Sequence, residues 1–309
     1  MSDLNHPRAE NVLRLARMGH QRVSVPFVAP IMSAMLGAAA IHDARIRSDR
    51  FLFIGGAESY VRNNGLRDAM DGKPLAMRPS GLQGKTYTRL TKLATHDDVD
   101  VCNAVTNSLI REQLAGHTKS VVSRLCHVVG ELHDNVASHA RGGGYSCVQM
   151  YPSKARKEVQ FAVADAGCGM LFNVKRRDSS ITTDHDAIGW CLQEGHTTGS
   201  PSEDWAQRLP EDACCSPYPE STSVRINDNH HLGLGLGHLV RLVNETGGEA
   251  WILSGKGECT LGRKGPRFGP SKTEWQGVAI EFSIPVVATE IIEPKHDQIL
   301  DDLAGRLGI

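Results

Sequence analysis

The chain has 309 residues, 40% of them hydrophobic and 22% charged, with a formal net charge of −1 at pH 7. That length and composition allow two ordinary domains, each with its own core, and exclude a disordered chain. Without a basic excess, nucleic acid is a poor candidate for the main partner.

The opening stretch, with Leu13, Leu15 and Met18 among charges, predicts a helix. Val23 to Ile41 then carries no charge over 19 residues. Pro26, Pro30 and a high content of alanine, serine and glycine argue against a membrane span. The arginines before it and its "GAAA" imitate a signal peptide, but "RVSVPFVA" reads as a short buried strand. Pro30 suits the first turn of a core helix running through "IMSAMLGAAAIHDARI". "RFLFIGG" predicts a second buried strand, and "AESYVRNNGLRDAM" a helix broken near Asn63-Asn64-Gly65. The chain thus opens with an α/β module over residues 1–80.

"DGKPLAMRPSGLQGKTYTRL" is loop-rich, and residues 81–96 are expected as a linker. Gly84-Lys85-Thr86 imitates the end of a phosphate-binding P-loop, but that loop needs glycine where Pro79 stands, and no apolar strand leads into it. Two helices should follow, "CNAVTNSLIREQL" and "KSVVSRLCHVVGELHDNVASHA". In the second, Leu125, Val128, Val129, Leu132 and Val136 fall on one stripe. "YSCVQMYP" and "EVQFAVADAG" predict two strands joined by a basic turn. A long polar stretch with one helix-like piece, "DHDAIGWCLQEG", separates them from "LGLGLG", a helix "HLVRLVNET", and two last strands, "AWILSG" and "VAIEFSIP". The second domain is expected over 97–290, with a tail or helix over 291–309.

The cysteines are Cys102, Cys126, Cys147, Cys168, Cys191, Cys214, Cys215 and Cys259. They form no C-x-x-C pair and show no zinc-ligand spacing, even with His230-His231 near Cys214-Cys215. Free thiols in a reducing cytoplasm fit this usage.

Three groups of residues suggest chemistry. Glu131 and Asn135 lie one helical turn apart at the flank of the apolar stripe, where a pocket would open. An asparagine carbonyl suits Mg²⁺, and a glutamate beside it suits a general base. Asp165 shares a strand face with Val159, Phe161 and Val163, so its carboxylate aims inward. Gly167 and Gly169 follow it and permit close approach to the backbone. Finally, Gly233-Leu234-Gly235-Leu236-Gly237 leads into an amphipathic helix, where uncovered N–H groups make an anion site.

In this order the motifs resemble those of the GHKL ATPase family of gyrase-type, chaperone, histidine-kinase and MutL ATPases. "ELHDN" resembles the family's N-box, "DAGCG" its first glycine box, "GLGLG" its second, and "GVAIEFSIP" its last strand. The wording is most similar to histidine-kinase and anti-sigma-factor catalytic domains. The resemblance implies a two-layer α/β sandwich with a mixed sheet, and ATP held beneath a lid from Leu171 to His231. It implies Mg²⁺ on Asn135, a base at Glu131, adenine on Asp165 with Gly167 and Gly169 lining the pocket, and phosphates wrapped by Gly233, Gly235 and Gly237. The amino-terminal pattern resembles a STAS-like domain, the fold of anti-sigma-factor antagonists, with Pro30 where such antagonists carry their phosphorylated serine.

Two departures stand out. Ser138 occupies the place of a lysine common in histidine kinases. Val278 follows Gly277 where the family usually has threonine or serine, at a cost of about 1 kcal/mol for one lost hydrogen bond. The expected function is a cytoplasmic ATP·Mg-binding regulator with slow hydrolysis or phosphoryl transfer, acting on a protein partner and open to homodimerisation. The alternatives are an anti-sigma-type serine/threonine kinase and a non-catalytic ATP-sensing module.

Overall fold

Five antiparallel strands organise the computed structural model, which describes residues 4–18, 22–75, 84–115, 117–140, 142–152, 157–193 and 235–286. Their order is β3 (Thr91–Leu93), β4 (Gly144–Pro152), β5 (Lys157–Asp165), β7 (Arg267–Val286) and β6 (Glu249–Leu261). β4 and β5 pair from Gly144 opposite Asp165 to Pro152 opposite Lys157. β7 returns beside β5 with Ala164 opposite Ala279. The mixed sheet expected from the resemblance is therefore corrected: every pairing in this sheet is antiparallel. Hairpins join β4 to β5 and β6 to β7, and a short connection imposes opposite strand directions.

Side chains alternate across β5. Val159, Phe161 and Val163 enter one core, whereas Ala162 and Ala164 enter another. The first core lies under α5 (His96–Gln113), α6 (Lys119–Asn135) and α9 (Gly235–Thr246). α5 starts with a capping box: Thr95 Oγ1 accepts from Asp98 N–H, and the Asp98 carboxylate accepts from Thr95 N–H at 2.9 Å. α6 buries Leu125, Val128, Val129 and Leu132, the stripe its sequence predicts.

The second core lies under the amino-terminal segment: α1 (His6–Arg17), β1 (Val23–Val25), α2 (Pro30–Ala39), β2 (Phe51–Phe53), α3 (Gly56–Asn64) and α4 (Leu66–Met70). β1 and β2 form a parallel pair, Val23 opposite Phe51. All residues of α2 are buried, so this apolar helix is a core helix packed on β4 and β5. No helix among the described residues is long and apolar enough to cross a membrane. Trp251, Leu253, Trp275 and Ala279 of the large sheet share this core with the segment. The two-layer expectation becomes three layers, because both sheet faces are apolar and both are covered.

Two further boundaries shift. Within the expected linker 81–96, Leu90 and Leu93 are buried, Tyr87 bridges Gln149, and β3 forms the sheet edge. The expected lid also begins as part of the body. Residues 169–191 hold α7 (Gly169–Val174) and α8 (Asp184–Cys191), which bury Val174, Ala187 and Ile188 in the first core. The rest of that lid, 194–231, and the expected tail, 291–309, lie outside the described residues.

Candidate functional site

α6 ends at Asn135 and continues as a single π-helical turn, Val136–Ala140. The Ala140 carbonyl then accepts from Cys168 N–H at 3.0 Å. Gly167 is obligatory at this crossing, since a Cβ there would stand 1.8 Å from the same carbonyl oxygen. The end of the helix carrying Glu131 and Asn135 is thus fixed, backbone to backbone, against the loop after Asp165.

Asp165 is 4% exposed. Its Oδ1 accepts from Gly167 N–H at 2.8 Å, and its Oδ2 from Val278 N–H at 3.2 Å. Gly277, at φ 101°, passes so close that a Cβ would lie 2.5 Å from Oδ1. Burial raises Asp165 to about 7, against the pull of the two amides. Each carboxylate oxygen has two lone pairs, so one acceptor position per oxygen remains beyond its backbone N–H. Near neutral pH the group is divided between an acceptor-only anion and a neutral acid that also donates.

The earlier expectation for Val278 needs correcting. Its side chain offers no hydroxyl, but its main-chain N–H supplies the hydrogen bond. A further polar residue, Ser254, escapes the sequence reading. Its Oγ accepts from Met170 N–H at 2.9 Å and so anchors the turn at Gly169. The only signal for it is a polar residue inside the apolar strand "AWILSG".

α9 lies beside α6. Arg124 pairs with Glu245 at 2.9 Å, and the His127 and His238 rings sit 4.8 Å apart. Position rises along α6 as it falls along α9, so the helices are antiparallel. At 1.5 Å per residue, Glu131 comes level with the first turn of α9, Gly235-Leu236-Gly237. Glu131 is mostly buried, with its Oε1 3.7 Å from His127 Nε2. Leu236 is buried in the first core, so its side chain points away from the helix end, where the first-turn N–H groups have no intrahelical acceptor. Gly233 and Leu234 lie outside the described residues, as do Cys214, Cys215, His230 and His231.

A cleft of about 770 Å³ opens on the other side of the Asp165 loop. Ala166, Cys168, Gly169 and Gly277 meet Arg17, Asp43 and Arg45 there, and neither Glu131 nor Asn135 lines it. Among the described residues no group of three or more His, Cys, Asp and Glu side chains is arranged to hold a metal ion. A divalent ion at Asn135 would therefore draw most of its ligands from phosphate and water, as Mg²⁺ commonly does.

No protein-family model matches the chain, and no curated protein matches it either.

Proposed function

We propose that this protein is a GHKL-type regulator that binds ATP with Mg²⁺ and couples slow hydrolysis or phosphoryl transfer to a protein partner. In this reading the amino-terminal segment, STAS-like in the order of its elements, is the docking part. The observation that carries it is Asp165, a carboxylate at a strand end, buried and held by two backbone amides with acceptor capacity to spare. An exocyclic amine is the complement of such a group.

The other parts follow from chemistry. The first N–H groups of α9 and its positive dipole end favour phosphate. Asn135 Oδ1 is the candidate protein ligand for Mg²⁺. Glu131, level with that helix start, is the candidate base. Positioning and charge neutralisation dominate such phosphoryl chemistry.

Thermal melting with and without Mg·ATP tests the reading on the parent chain and on Asp165→Asn. Nucleotide at a hundred times its dissociation constant should stabilise the parent by about 2.7 kcal/mol, and the variant should lose most of that shift. Glu131→Ala should keep the shift and lose phosphate release. A parent chain whose melting ignores Mg·ATP would sink the proposal.

A further inference from the structure

β7 presents the Asp165 site on one side and the amino-terminal segment on the other. Toward the helices, Gly277 and Val278 confine the Asp165 carboxylate. Toward the second core, α1 grips the same strand on both sides of those residues. Glu281, 1% exposed, receives Asn5 N–H at 2.9 Å on both oxygens and His6 N–H at 2.9 Å. α1 has no side-chain cap of its own, so a buried carboxylate of β7 caps it instead. The His6 ring stacks on Trp251 at 4.3 Å. At the other end of α1, Arg17 Nη1 donates to the Glu274 carbonyl at 3.0 Å and Arg17 pairs with Asp43 at 3.4 Å.

Residues 274–281 are therefore a short length of strand held from one side by α1 and used from the other by Asp165. Trp275 and Ala279, inside it, are buried against the amino-terminal segment. Close-packed interiors have low compressibility and transmit strain. A shift of a few tenths of an ångström at Gly277 would lengthen the 3.2 Å bond from Val278 N–H to Asp165.

We propose that the docking of α1 on β7 and the occupancy of the Asp165 site are coupled through residues 274–281, so that the amino-terminal segment regulates that site. Docked α1 holds the Asp165 loop in its binding form. A partner that pulls α1 away weakens the ligand, and ligand tightens α1, because such coupling is reciprocal. The ligand's identity rests on the nucleotide reading above, whereas the coupling belongs to the chain itself.

Amide hydrogen exchange on the full chain, first without nucleotide, tests this. Asp165→Asn should speed exchange along α1 by about fivefold or more, the low end of typical coupling, and leave α5 unchanged. Glu281→Gln should speed exchange at Gly167 and Val278. Arg17→Ala, at a partly exposed contact, repeats the second measurement with less risk to folding. Equal acceleration of α1 and α5, or no change at the distant site in any variant, overturns the coupling. Mg·ATP is then added to the parent. Protection of α1 supports both proposals. Coupling in the free chain with no response to Mg·ATP leaves the coupling standing and removes the nucleotide reading. Mg·ATP binding that leaves α1 exchange unmoved overturns the coupling alone.

Discussion

His133 and Asp165 are both buried on the helix face of the same sheet, and their surroundings differ in kind. His133, fully buried, has Nδ1 2.7 Å from Asn103 Oδ1 and Nε2 2.8 Å from Ser146 Oγ. Ser146 Oγ also lies 3.1 Å from the Ala162 carbonyl, so its one hydroxyl proton has either that oxygen or His133 Nε2 as acceptor. The network is closed by side chains that can each serve as donor or acceptor, and its members lie within α5, α6 and β4. Asp165 lies at a strand end, is held by one amide of the loop that follows it and one of strand β7, and keeps acceptor positions unused. A satisfied buried polar group fixes a core, whereas an under-satisfied one beside a loop is built to receive something.

The largest effect that would sharpen this contrast is the pH dependence of stability. Burial raises Asp165 to about 7, so the folded chain keeps its proton after the unfolded chain has lost it. The stabilisation is complete below about pH 4 and is lost as pH rises through about 7, with an upper bound on the order of 4 kcal/mol. Burial lowers His133 to about 3, so its sign is opposite: stability is lost as pH falls from about 6.5 toward 3. Urea unfolding at pH 5 and pH 8 should show Asp165→Asn gaining on the parent at the higher pH. A constant difference between the two chains would mean that Asp165 is ionised throughout.

Next in size is His133→Ala. It leaves Asn103 and Ser146 without their partner and opens a cavity, at a cost of about 3 kcal/mol. Nucleotide affinity measured well below the melting temperature should be unchanged, because the hydrogen bonds of this network run to Asn103, Ser146 and Ala162 and not to Glu131, Asn135 or Asp165. A matching loss of affinity would erase the distinction between the two buried groups.

What could be read from the sequence was whatever has a local period. The α6 stripe gives its buried face, and the alternation along β5 gives the inward aim of Asp165. "GLGLG" before an amphipathic run gives the existence of α9, although the helix begins at Gly235, three residues before the predicted "HLVRLVNET". What was illegible depends on distant partners. β3 is three residues long, with nothing periodic to mark it. The outer halves of β6 and β7 carry exposed polar residues and extend well beyond the apolar runs predicted as strands. Glu281 is a lone charged residue within the apolar run "VAIEFSIP", and it is buried because α1, 275 positions away in the chain, folds over it. The third layer was hidden for the same reason: an apolar segment announces burial without naming its partner.

The smallest predicted effect concerns Val278, and it separates main-chain from side-chain support at Asp165. Since Ala164 lies opposite Ala279, Asp165 falls opposite Val278 on the helix face. Cross-strand neighbours on one face stand about 5 Å apart, so a hydroxyl at position 278 can reach the carboxylate. Were a hydroxyl required, Val278→Thr would add a hydrogen bond worth about 1 kcal/mol, or about fivefold in affinity. Oδ2 already accepts from Val278 N–H, however, and Val278 packs against the first core, where a hydroxyl must be desolvated. These two effects oppose each other, and we expect Val278→Thr to bind Mg·ATP within about twofold of the parent by titration calorimetry. A full fivefold gain would show that the amide leaves Asp165 under-supported, and that the valine holds the site below the affinity its backbone could support.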